Sequence, residues 1–130
     1  DVKKLARRAE VCIIVNGDVT QGGRHREQLV TTSIANQFLI ASAVLKPWIE
    51  NVPQIKMVRF AFGTASHIFD EGTSPVIVSR ILREKYPNLD IGVVKHGLLN
   101  INGSKYDYAH HGPSQGIRDW TKGNQLRYYL

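Results

Sequence analysis

Two apolar runs, Val11-Cys12-Ile13-Ile14-Val15 and Ile55 to Phe62, bracket a stretch whose apolar residues recur at helical spacing. That alternation limits the fold more than any other feature of the chain. The first run is short, β-branched and not alternating, which predicts a strand buried on both faces of a parallel sheet. Between the runs, Glu27 to Leu45 reads as a helix with Val30, Ile34, Phe38, Ala41 and Leu45 as its apolar stripe. Pro47 is expected to end or kink it, with Trp48, Ile49 and Val52 packing the exit. A further helix is capped by Thr73 or Ser74, has Pro75 in its first turn, runs through Val76, Ile77, Ile81 and Leu82, and stops before Pro87. Strands over 91–95 and 98–101 follow, and Asn102-Gly103 before the strand Lys105 to His110 predicts a hairpin. Residues 2–9 read as the end of a helix and 126–130 as part of another. The whole predicts a layered α/β sandwich, a mixed β-sheet flanked by helices, in one domain over residues 1–130.

No apolar run approaches the ~18 residues needed to span a bilayer, and Asp1 to Glu10 is a charged amphipathic segment unlike a signal peptide. The single cysteine, Cys12, precludes an internal disulfide and fits a reducing, cytoplasmic setting, where it reads as a small buried hydrophobe. The net charge of +6, from 17 Lys+Arg against 11 Asp+Glu, favours anionic partners such as phosphorylated substrates and nucleic acid. No membrane partner is expected.

Ligands of parallel sheets gather beyond the carboxyl ends of the strands. Three segments place chemically capable side chains there. Asn16-Gly17-Asp18 is followed by Gly22-Gly23, Gly63-Thr64-Ala65-Ser66-His67 follows the second strand, and Ala109-His110-His111-Gly112-Pro113 follows the hairpin. If the first two strands are parallel neighbours, Asp18 and His67 emerge at one sheet edge. Carboxylate and imidazole together suit Mn²⁺, Fe or Zn²⁺. Each residue also has a plainer reading: Asp18 as a turn former, His67 as a loop residue, and His110 and His111 as strand-end residues bonded to backbone. His96 reads as structural.

The three segments, in this order, resemble the calcineurin-like metallophosphoesterase superfamily. Asn16-Gly17-Asp18-Val19-Thr20-Gln21-Gly22 is similar to its Gly-Asp block, Gly63-Thr64-Ala65-Ser66-His67 to a Gly-Thr-x-x-His variant of viral and archaeal members, and Ala109-His110-His111-Gly112-Pro113 to its later histidine block. The resemblance covers roughly residues 11–113. It implies two divalent metal ions (Mn, Fe or Zn) and hydrolysis of a phosphomonoester or phosphodiester, nucleic acid or nucleotide among them, by a metal-bound hydroxide. It implies that Asp18 bridges the ions, that His67 either ligates a metal or protonates the leaving oxygen, and that His110 ligates the second ion. His111 is a further metal candidate, although alternation along a strand sends adjacent side chains to opposite faces.

The family's Asp-x-His before the Gly-Asp block, its asparagine ligand and its Gly-His-x-His do not occur in this sequence, and Thr64 is a poor substitute ligand. The chain is therefore expected to be the central part of a longer catalytic domain, with little activity by itself. Arg24 and His25, just past Asp18, read either as solvated residues or as contacts to a substrate phosphate. The basic, aromatic segment 116–129 reads as a loop and amphipathic helix or as a nucleic-acid surface. A P-loop, a Rossmann glycine fingerprint and a serine-hydrolase elbow are all excluded by spacing. The rival to the enzyme is a non-catalytic nucleic-acid-binding or assembly module on the same scaffold.

Overall fold

The computed structural model describes residues 2–24, 26–64 and 73–110. In chain order they form α1 (Val2–Ala6), β1 (Val11–Asn16), α2 (Ile34–Asn51), β2 (Ile55–Ala61), α3 (Thr73–Lys85), β3 (Asp90–Val94), β4 (Gly97–Ile101) and β5 (Ser104–Tyr108), with a single 3-10 turn at Arg26–Gln28 before α2. Strands β1, β2 and β3 lie in that order in one parallel sheet, each joined to the next by a helix. The predicted α/β alternation is present.

Helices α2 and α3 cover one face of the sheet. Val58 and Phe60, two residues apart on the central strand, are fully buried among Phe38, Ala41 and Leu45 of α2, Val78 and Leu82 of α3, and Ile91 of β3. The register pairs Asn16 with Ala61 and Ala61 with Val94, so the three strands finish level and their following loops leave from one edge.

The other face is built differently, and it corrects the expectation that β1 is buried on both sides. In the row Ile14–Arg59–Gly92, Ile14 is 40% exposed. Arg59 lies over Gly92, where even a Cβ would stand 3.1 Å from the Arg59 Cδ. Its guanidinium donates to both carboxylate oxygens of Asp90, at 3.0 Å for Oδ1. A β-branched run marks a strand, but the number of covered faces depends on what packs there.

Arg59 holds the Asp90 carboxyl below its usual 3.8, chiefly by hydrogen bonding. A carboxyl depressed on folding adds stability that is complete above its unfolded value and is lost as pH falls through its folded value. The melting-temperature gap between the wild type and Asp90→Asn should therefore be constant near neutrality and shrink below pH 3.8. Asp90 is 60% exposed, so the gap should be small and reduced by salt. A gap that widens in acid would refute the assignment.

Helix α2 differs from the sequence reading at both ends. It starts at Ile34, because the Ser33 hydroxyl accepts the Asn36 N–H as an N-cap. Val30, at 78% exposure, precedes the helix, so only the later part of the predicted stripe reaches the core. The helix then continues through Pro47 to Asn51. Pro47 forfeits one hydrogen bond, yet the last turn is retained by Val52 N–H to Trp48 O at 3.0 Å and by Asn51 Nδ2 to Pro47 O at 2.8 Å.

The hairpin forms as expected. Asn102 (φ 52) and Gly103 (φ 86) are both left-handed, as a two-residue turn of the primed type requires. Among the described residues β4 and β5 make a separate two-stranded sheet rather than extending the parallel one. The expected helix at 126–130 and the segment 116–129 lie outside the described residues.

Candidate functional site

The site is made where β1 ends. Gly17 (φ 80) and Asp18 (φ 46) are both left-handed, which reverses the chain sharply. The segment after β2 runs directly against this reversal. A Cβ on Gly63 would collide with the Asp18 carboxylate and with its backbone nitrogen. That closeness lets Thr64 donate twice to Asp18 Oδ1, from its N–H at 2.7 Å and its hydroxyl at 3.0 Å.

The other carboxylate oxygen faces His110, brought in from beyond the hairpin. His110 Nε2 stands 3.1 Å from Asp18 Oδ2, and Nδ1 stands 2.6 Å from the carbonyl oxygen of Asn16. A carbonyl only accepts, so Nδ1 donates to it, and the ring turns Nε2 toward the carboxylate, which likewise accepts and lies at ion-pair distance. Gly17 has no room for a side chain, since a Cβ there would enter the His110 ring. Both groups are partly sheltered, with side-chain exposures of 22% for His110 and 31% for Asp18.

The 3.1 Å separation is that of a direct ion pair, and two ligands of one divalent cation can also stand so far apart. Two donors each about 2.1 Å from an ion, at a right angle, are about 3.0 Å apart, close to the observed 3.1 Å. A backbone carbonyl on the remote ring nitrogen is the usual outer support of a metal-binding histidine. Among the described residues no group of three or more His, Cys, Asp or Glu is placed to hold a metal. Asp18 and His110 could thus supply at most two ligands of such a centre.

The loop carrying Asp18 is fixed at two further points. The Thr20 hydroxyl donates to Ser74 Oγ at 2.9 Å, inside the start of α3. The buried Gln37 amide grips Gly22 from both sides, accepting its N–H at 3.0 Å and donating to its carbonyl at 2.9 Å, and also donates to Thr31 O at 3.0 Å.

Asp18 and His110 are therefore brought together from opposite ends of the described chain. Arg24 is exposed on the loop beyond Gly22-Gly23. His25, His67 and His111 lie outside the described residues. His96 pairs with Asp107 across the hairpin, in keeping with a structural reading. Cys12 is half-buried, and burial pushes its thiol upward, consistent with an inert side chain. Sequence reasoning sets Thr64 aside as a poor ligand, whereas its place is as a donor to Asp18. It misses Gln37 altogether, although a glutamine among Ile34, Phe38 and Ala41 is a visible signal.

No family model, curated protein or solved structure matches the chain.

Proposed function

We propose that this chain carries part of the centre of a metal-dependent phosphoesterase with a metallophosphoesterase-like layering. The observation that supports it most directly is the apposition of Asp18 Oδ2 and His110 Nε2 at 3.1 Å, at the carboxyl edge of a parallel sheet. These are two of the residues on which the resemblance rests. Asp18 and His110 would hold divalent metal, Mn, Fe or Zn, in a dinuclear centre whose other ligands include His111 on the resemblance. Divalent metal there supplies a Lewis acid for phosphoryl oxygens and lowers the pKa of water.

The chain's own residues do the rest. Thr64 keeps one carboxylate oxygen of Asp18 engaged and so aims the other at His110. The Asn16 carbonyl holds His110 Nδ1 and so turns Nε2 toward Asp18. Arg24 is the candidate clamp on a substrate phosphate, with His25 beside it. His67 is the candidate proton donor to the leaving oxygen, by resemblance.

The test is hydrolysis of bis(p-nitrophenyl) phosphate by the full-length protein with Mn²⁺, together with metal content by mass spectrometry. Turnover should vanish on chelation, and Asp18→Asn should lose both bound metal and turnover. Unchanged metal content in Asp18→Asn would refute the reading.

The +6 charge supports a second reading, a nucleic-acid-binding module that uses the scaffold without catalysis. Salt-dependent RNA or DNA affinity that survives both Asp18→Asn and His110→Ala, without turnover, would favour it.

A further inference from the structure

At the end of β1 remote from Asp18, a cleft of about 320 Å³ lies between the turn that follows α1 and the start of β2. Among the described residues Arg7, Arg8 and Lys56 line it, with Glu10 as the one carboxylate on its wall. No described carboxylate stands within ion-pair distance of any of these three cations. Three cations against one carboxylate leave an excess of positive charge that no close pairing neutralises. Arg7, Arg8 and Lys56 are all exposed, so an anionic ligand has access to them.

The backbone that carries two of the cations is held in place. Arg7 takes a left-handed conformation (φ 44) just after α1, where glycine is the ordinary choice. Gln54 Nε2 donates to the Arg7 carbonyl at 3.2 Å, Ala9 N–H donates to Ala6 O at 2.6 Å, and Val11 N–H donates to Gln54 O at 2.8 Å. These bonds fix the turn against the start of β2 and keep Arg7 and Arg8 on the same cleft as Lys56. A cation after a helix also suits its carbonyl end. That effect accounts neither for Lys56, which comes from a strand, nor for arginine at a strained position.

Guanidinium groups meet phosphate oxygens as a bidentate fork, and an ammonium meets them as a point charge. Among the described residues no aromatic side chain lines the cleft, so nothing there stacks a base. A concave site suits one strand rather than the convex flank of a duplex. We propose that this cleft holds the phosphodiester backbone of a single-stranded nucleic acid, without base preference. The assignment rests on the nucleic-acid reading and gives it a surface. It does not involve metal at Asp18, from which β1 separates the cleft by about 17 Å of extended strand.

Fluorescence polarisation of a labelled oligothymidylate on the full-length protein, at low salt and in EDTA, tests it. The wild type should bind, with an affinity that falls as salt rises. Arg7→Gly, Arg8→Gln and Lys56→Gln should each weaken binding about threefold or more, and the triple variant about thirtyfold, with a flatter salt dependence. Arg7→Gly relieves the left-handed strain, so it should weaken binding without lowering the thermal midpoint, which separates loss of the cation from loss of the fold. Lys105→Gln, an equal loss of charge on β5 and outside the cleft, should bind as the wild type does. Wild-type affinity in the triple variant, or an equal loss in Lys105→Gln, removes the cleft and leaves the nucleic-acid reading. Absence of strand binding at low salt removes both. Tighter binding of a duplex of the same length, or displacement of the strand by equimolar inorganic phosphate, overturns the single-strand assignment.

Discussion

Gly63→Ala should abolish the site and destabilise the fold at the same time. The new Cβ would fall well inside contact distance of Asp18 Oδ1 and of the Asp18 backbone nitrogen. A flexible side chain could swing away, but a backbone atom in a left-handed reversal has little freedom to yield. Relief therefore requires the 62–64 segment and the 17–18 reversal to separate. That separation breaks both Thr64 bonds to Asp18 and moves the carboxylate off His110. Overpacking of this kind costs about 1–3 kcal/mol, and loss of the solvent-accessible Thr64 bonds adds less than the full cost of a buried unpaired group. The expected result is a lower denaturation midpoint together with loss of the metal binding proposed above, even though the substituted residue carries no functional group. A Gly63→Ala variant that keeps both its metal content and its midpoint would show that the two loops are not in contact as described.

Gln37→Leu should have the next largest effect, for a different reason. Leucine matches the helix stripe and glutamine does not, so propensity and hydropathy both predict a gain. The structure predicts a loss. The substitution strands the Gly22 N–H, the Gly22 carbonyl and the Thr31 carbonyl, all bonded to one amide that is 4% exposed. At about 1–3 kcal/mol for each buried group left unmade, the total should reach about 3 kcal/mol or more. Chemical denaturation measures it. The loop from Gly17 to Gly22 should loosen first, so amide exchange should rise at Thr20 and Gly22 before it rises in β2. Gln37→Glu discriminates further, because it keeps an acceptor for Gly22 N–H but removes both donated bonds. Stabilisation by leucine would mean that water or another side chain satisfies the loop.

The parts of the fold that are legible in the sequence are those fixed by neighbours a few residues apart. The apolar runs mark β1 and β2, Pro75 and the serine-threonine pair mark the start of α3, and Asn102-Gly103 marks the hairpin, because φ/ψ preferences and side-chain periodicity act locally. Local signals also mislead. The stripe through Val30 and Ile34 suggests a helix from Glu27, but the Ser33 cap sets the start at Ile34. Pro47 suggests a stop, but the final turn of α2 closes on Trp48 and Asn51. The all-apolar run in β1 suggests two buried faces, and nothing near it in sequence reveals that Arg59 and Asp90 occupy the second.

For the site, residue order settles which atoms are available: a carboxylate at Asp18, imidazoles in two later segments, and glycines at the positions where the backbone turns or is crowded. It does not settle that Asp18 Oδ2 and His110 Nε2 meet at 3.1 Å, that the Asn16 carbonyl engages His110 Nδ1, or that Thr64 and Gln37 hold the carboxylate loop in place. Those relations join residues 15 to 94 positions apart. They exist only because three parallel strands end level and a hairpin delivers His110 to the same edge. Residue identity fixes which chemistry is possible, and tertiary packing alone fixes distance, on which coordination and hydrogen bonding depend.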